Sequence, residues 1–187
     1  AIHLMESWMQ KPERTSLALH QTLGMLYLNE LEFESFEKHQ LKGLERYPNN
    51  SEIYQELATF YQGIQRPREA HKLLLRLLSK QPENENLILQ VVSLEQKIGL
   101  NKQAKQRILE TLEGNVPSEK MWQFWIELQS TQDASKDVSA DLIEMLSQFP
   151  ESEWAGVKLA EIFLHEEKYA AAEKVNEKAM EKSIICL

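Results

Sequence analysis

Between Ser51 and Pro82 the apolar residues fall into two runs with helical spacing. The first is Ile53, Tyr54, Leu57, Ala58 and Tyr61; the second is Ala70, Leu73, Leu74, Leu77 and Leu78. Steps of three and four residues put each run on one helix face. Pro67 lies between them, where a second helix would begin, and proline suits a first turn because its missing N–H has no partner to lose there. Ser51 is the expected N-cap of the first helix. Gln81-Pro82 closes the segment, since a residue before proline is driven out of helical geometry. The stretch predicts one helix–turn–helix unit.

The pattern recurs in steps of 34 residues, with units starting at Leu17, Ser51, Glu85, Glu119 and Glu153. Closing prolines fall at Pro48, Pro82, Pro117 and Pro150. The seventh position reads Leu23, Leu57, Val91, Trp125, Leu159, and the eighth Gly24, Ala58, Val92, Ile126, Ala160. The twentieth reads Phe36, Ala70, Ala104, Val138, Ala172, and the twenty-eighth Leu44, Leu78, Leu112, Leu146, Met180. Small residues at eight and twenty let two antiparallel helices approach closely. Large ones at seven and twenty-eight fill the space between one pair and the next. One pair cannot bury its apolar face alone, so stacked pairs share a core. The expected organisation is a single domain of repeats 17–50, 51–84, 85–118, 119–152 and 153–187, preceded by a half-repeat or capping helix over 1–16.

A 34-residue helix–turn–helix with a small residue at eight, an aromatic at eleven (Tyr27, Tyr61, Phe163), an alanine at twenty and a closing proline resembles the tetratricopeptide repeat. The resemblance spans Leu17 to about Ile184 and is fullest over Ser51–Pro82 and Glu153–Ile184. It implies an all-α, right-handed α-solenoid of antiparallel helix pairs, about eleven helices in all. Val92 and Ile126 replace the small eighth residue, and Glu95 and Gln129 the aromatic at eleven. The third and fourth units are therefore expected to be distorted.

Net charge changes the list of partners. At −8 the chain is a poor match for a phosphate backbone, whose binding relies on Lys and Arg displacing counterions. No nucleic-acid partner is expected. One basic stripe stands out: Arg68, Lys72, Arg76 and Lys80 step by four residues along the second helix of the second unit. It is either a solvated face or a docking stripe for an acidic partner. No apolar run approaches the roughly 18–20 residues of a membrane span, so no direct membrane insertion is expected. The single cysteine, Cys186, makes an intramolecular disulfide impossible, which fits the cytoplasm and the bacterial periplasm alike.

Residues 1–10 have helical apolar spacing in Ile2, Met5 and Met9, and are expected to pack on Leu17–Asn29. Gly99 is placed as a helix-terminating residue with positive φ. Ser118 is expected to cap the helix that follows. That helix carries Trp122, Trp125 and Ile126 on its core face, while Phe124 lies on another face as a candidate exposed anchor. This segment also resembles the tryptophan-rich half-repeats of RNA-processing scaffolds. Ser130 to Asp137 is expected to form an extended loop, with Asp137 or Ser139 capping the next helix. The apolar tail with Ile184, Ile185 and Leu187 suggests further units beyond it, or self-association through the chain ends.

The sequence contains no catalytic constellation. The histidines (His3, His20, His39, His71, His165) show no metal-ligand spacing such as HExxH. No nucleophile motif and no glycine-rich phosphate loop is present. The expectation is no enzyme activity, no metal and no cofactor.

The tetratricopeptide resemblance instead implies a concave groove lined by the first helix of each unit. Its inward positions here hold Gln21, Thr22, Gln55, Thr59, Gln62, Gln90, Ser93, Gln96, Gln123 and Lys158, with Glu56, Glu127 and Glu161. Chaperone-docking members of that family grip a C-terminal carboxylate with Lys, Arg and Asn at such positions. Gln21, Thr22, Met25, Gln55, Glu56 and Thr59 lack that clamp. Glutamines carry both donor and acceptor, so the groove residues suit an extended peptide backbone. The function expected is an interaction scaffold for a protein or peptide, in assembly of a larger complex of the bacterial envelope or secretion type. Alternatives are a structural segment of a longer self-associating solenoid, or an RNA-processing scaffold.

Overall fold

The computed structural model describes residues 2–9, 16–114, 117–132, 136–172 and 175. These form α1 (Ile2–Met9), α2 (Leu17–Asn29), α3 (Phe33–Arg46), α4 (Ser51–Gly63), α5 (Pro67–Leu78), α6 (Glu85–Lys97), α7 (Asn101–Gly114), α8 (Glu119–Gln132), α9 (Ser139–Gln148) and α10 (Glu153–His165). Helical residues follow over 169–172, and the described residues contain no strand. Met180, Cys186 and the tail residues Ile184, Ile185 and Leu187 lie outside the described residues.

A capping column sets the phase of the repeats. Ser16, Asn50, Asn84, Ser118 and Ser152 stand 34 residues apart. Each side-chain oxygen accepts the backbone N–H three residues on, in Leu19, Ile53, Leu87, Met121 and Ala155, at 3.0–3.2 Å. Ser118 caps as expected. Ser51 does not: Asn50 is the N-cap and Ser51 is the first helical residue. Replacing Asn84 by alanine leaves the Leu87 N–H without this acceptor and should cost about 1 kcal/mol in urea unfolding.

The turn inside four of the pairs also follows the repeat. Leu31, Gln65, Gly99 and Glu167 all occupy the fifteenth position and all have positive φ, from 59° to 81°. Each sits just past a helix end. The next residue's N–H reaches back to the carbonyl of Tyr27, Tyr61, Glu95 or Phe163, at 2.7–2.8 Å. This is the Schellman arrangement, usually closed by glycine. Only Gly99 adopts it without a Cβ penalty. Left-handed geometry costs an L-residue roughly 1–2 kcal/mol. Gln65→Gly is therefore expected to stabilise the protein by up to about 1 kcal/mol, after the extra entropy of an unfolded glycine is subtracted. A fall in melting temperature for this variant would contradict the strain argument.

The helices group into two compact units, Ala1–Leu100 and Asn101–Leu187. In the first, α1 packs on α2, and each helix from α2 to α5 packs on its successor. The core is built from the predicted columns: Leu23, Leu57, Val91, Gly24, Ala58, Val92, Phe36, Ala70, Leu44 and Leu78 are all buried. Gly24 faces the bulky Phe36, and a Cβ there would stand 3.1 Å from Gln40 Nε2. Gly43 has even less room, because a Cβ would fall 2.2 Å from the His20 ring.

In the second unit α8 packs on α7 and α9, and α10 packs on α9. Trp122, Trp125, Ile126, Val138, Leu159, Ala160 and Ala172 are buried, as the pattern predicts. Trp125 Nε1 donates to Asp141 Oδ1 at 3.0 Å, and Gln129 Nε2 to Asp141 Oδ2 at 2.8 Å. The expected loop from Ser130 is shorter than predicted, because α8 continues through Gln132. Asp137, two residues before α9, accepts the Ser139 N–H at Oδ1 at 2.8 Å, and the N-cap position itself is Val138.

The eleventh position explains how the third unit does without an aromatic. Tyr61 OH donates to Glu37 Oε1 at 2.7 Å, and Glu37 holds the twenty-first position of the preceding repeat. One repeat later His71 holds position twenty-one and donates to Glu95 Oε1 at 3.2 Å. The acid and its donor have exchanged places, so the link between repeats survives. Glu95 and Gln129 are completely buried.

Candidate functional site

The first helices of the repeats carry the expected groove residues, and the first unit brings several of them together. A cavity of about 480 Å³ is lined by Gln21 from α2, by Ser51, Glu52, Gln55 and Glu56 from α4, and by Gln81 and Asn84 from the α5–α6 turn. The Asn50 cap fixes where α4 starts, and thus which turn faces α2. Asn84 serves twice, capping α6 and donating through Nδ2 to Gln81 Oε1 at 2.9 Å.

The cavity is polar and carries negative charge. Gln21 Nε2 donates to Glu52 Oε2. Gln40, itself buried, donates to Glu56 Oε2 at 2.7 Å and accepts at Oε1 from His20 Nε2 at 3.0 Å. Burial raises the pKa of Glu56, the Gln40 amide opposes this, and the negative charge of Glu52 raises it further. Among the described residues, no lysine or arginine lines the cavity.

Of the predicted groove residues, Gln21, Gln55 and Glu56 line this cavity. Thr22 is exposed but returns its hydroxyl to Ala18 O at 2.8 Å. Thr59 and Gln90 are exposed and Gln62 is half-buried, all outside the lining. Gln123 and Lys158 belong to the second unit, where they bond to Glu119 and Glu161 at 3.2 and 3.1 Å. Sequence reasoning missed Ser51, Glu52, Gln81 and Asn84 as lining residues. Glu52 was legible, since it occupies the second position of its repeat. Gln81 and Asn84 come from a turn, where helical periodicity carries no signal.

The other candidates separate. Arg68, Lys72 and Arg76 are exposed along α5. Lys80 folds over the preceding turn, donating to Pro48 O and, at 3.0 Å, to Asn49 Oδ1. Phe124 is half-buried rather than an exposed anchor. A helix face intermediate between core and solvent explains this, since Phe124 neighbours the buried Trp125. Among the described residues, no cluster of three or more His, Cys, Asp or Glu could hold a metal ion. No described helix is long and apolar enough to cross a membrane.

The model of the tetratricopeptide repeat family matches residues 39–72, from within α3 through α4 and into α5. No curated protein matches the chain by sequence. Solved structures do match in three dimensions. A tetratricopeptide repeat protein from Parabacteroides merdae superposes with a TM-score of 0.59 at 19% identity, over 96% of this chain and 71% of that one. MamA protein gives 0.58 at 16% identity, covering 88% and 90%. YrrB, described as a TPR protein with an unusual peptide-binding site, gives 0.55 at 15% identity, covering 97% and 93%. The fold is thus that of the tetratricopeptide-repeat class, an all-α solenoid of antiparallel helix pairs. The chain shares the architecture of these structures.

Proposed function

We propose that the chain is a non-catalytic scaffold that binds a peptide segment of a protein partner on the first-helix face, at the Gln21–Gln55 cavity. The observation that carries this is the convergence of three chain segments on one polar cavity. A solvated helix face has no reason to gather Gln21, Gln55 and Gln81 around one space. The peptide-binding site named for YrrB supports the reading by analogy of fold. The reading keeps the five repeats of the sequence analysis as the scaffold's units. Assembly of a larger complex, of the envelope or secretion type, extends the same proposal.

The test is a pull-down from the source organism's lysate with the wild type and with Gln21→Glu/Gln55→Glu. Partners lost in the variant support the cavity. Partners retained by it would favour the Arg68–Lys72–Arg76 face instead. One observation favours self-association as a second reading: Leu4 and Trp8 on α1 are 64% and 51% exposed. Light scattering tests it, with Trp8→Ser expected to abolish a dimer if α1 is its contact.

A further inference from the structure

We infer that the Gln21–Gln55 cavity selects its partner through a lysine or arginine side chain seated against Glu52 and Glu56. The inference rests on the groove reading above and names the chemistry that the groove would recognise.

Charge and geometry carry it together. Glu52 and Glu56 are four residues apart on α4 and both line the cavity. Like charges at this spacing work against a helix by a few tenths of a kcal/mol. No cation among the lining residues offsets them. The pair is offset only in part, by one amide bond to each carboxylate and by the α4 N-terminus beside Glu52, and none of these carries a full positive charge.

The carboxylates are held in place. Gln21 takes one oxygen of Glu52, and the buried Gln40, anchored by His20, takes one oxygen of Glu56. Oε1 of each carboxylate has no hydrogen-bond partner among the described residues, which leaves two acceptors for one guanidinium or ammonium group. Gln55 also lines the cavity, its amide has no hydrogen-bond partner among the described residues, and it suits a peptide backbone. A cavity of about 480 Å³ has room for one long side chain and adjoining backbone.

One effect opposes this. The N-termini of α4 and α6 border the cavity, and each helix terminus carries roughly half a positive charge. Asn50 and Asn84 already accept from the exposed amides there, and Glu85 lies in the first turn of α6. Two full negative charges then outweigh the partial ones. The net charge of −8 adds a long-range pull on cations.

The experiment is a titration of the full chain followed by ¹⁵N–¹H NMR. Its probes are three capped heptapeptides of alternating glycine with arginine, glutamine or glutamate. The side-chain amides of Gln21, Gln55, Gln81 and Asn84 report directly on the cavity. The arginine peptide is expected to shift them, and Glu52→Gln/Glu56→Gln to weaken that binding by about tenfold or more. Glutamine at both positions keeps shape and an acceptor for Gln21 and Gln40, so the variant should fold, and its spectrum checks this. Arginine-peptide binding that survives the double variant would overturn the inference. So would equal binding of the glutamine or glutamate peptide, which would leave the groove reading standing. If no peptide shifts these amides, both readings fall.

Discussion

His71→Leu should destabilise the protein by about 3 kcal/mol, and adding Glu95→Met should recover much of that loss. Glu95 is completely buried, and the His71 ring reaches it at 3.2 Å with a side chain only 9% exposed. Removing one member of a buried polar pair takes away a compensating contact while the other's desolvation cost remains, which costs about 3–5 kcal/mol for charged pairs. Replacing both with apolar residues of similar volume removes that cost. The double variant should therefore be more stable than His71→Leu alone. Urea unfolding of the two variants at neutral pH measures the difference. Equal losses in both would show that packing, and not the polar link, is what position eleven supplies.

The second large effect is a loss of stability in acid, centred on the first pair. His20 and His39 stack with ring centroids 3.8 Å apart, and His39 Nε2 donates to His20 O at 2.8 Å. Tyr27 packs edge-on against His39, and its hydroxyl donates to Glu6 of α1 at 2.6 Å. Burial, followed by the charges of His20 and Lys42, lowers the His39 pKa to about 4, against the Glu6 carboxylate and the bond to His20 O. Burial also lowers that of His20, with Arg46 adding to it and the Gln40 bond opposing it.

Both rings are thus held neutral in the folded state, while the unfolded chain binds their protons near pH 6.5. The unfolded state binds more protons between pH 6.5 and 4, so stability falls as pH falls through that window. His39 alone should account for about 2–3 kcal/mol by its folded pKa. Glu6, whose pKa is lowered by the Tyr27 bond, has the same sign, its contribution fading as the carboxylate protonates. Chemical denaturation from pH 7 to 4.5 should show a steep loss for the wild type. His39→Gln should flatten it, because the amide can still donate to His20 O. Parallel profiles would place the acid sensitivity elsewhere.

Helix boundaries and core faces were legible because burial imposes a strict period. Leu23, Leu57 and Val91 point inward for the same reason, and 34 residues bring that reason round again. The capping column is equally periodic, yet the expected cap at Ser51 falls one residue late. Serine and asparagine are both good caps, and residue type alone does not choose between Asn50 and Ser51. Leu31 and Gln65 gave no sign of positive φ, since neither is a residue that favours it. Glu95 and Gln129 looked like defects in the repeat because their partners, His71 and Asp141, lie 24 and 12 residues away. The site was half visible: Gln21 and Gln55 followed from helix position, whereas Gln81 and Asn84 depended on how a turn folds back beside α4.

The most direct test of the partner-binding claim is site-specific photo-crosslinking in the source cell. A photoreactive side chain is placed at Gln55 in one variant and at Lys72 in another, and adducts are mapped by mass spectrometry. The account predicts a discrete protein adduct from Gln55, mapped to one segment of the partner, and none from Lys72. Adducts from Lys72 with none from Gln55 would contradict it, and would move the binding surface from the α2–α4 cavity to the exposed face of α5.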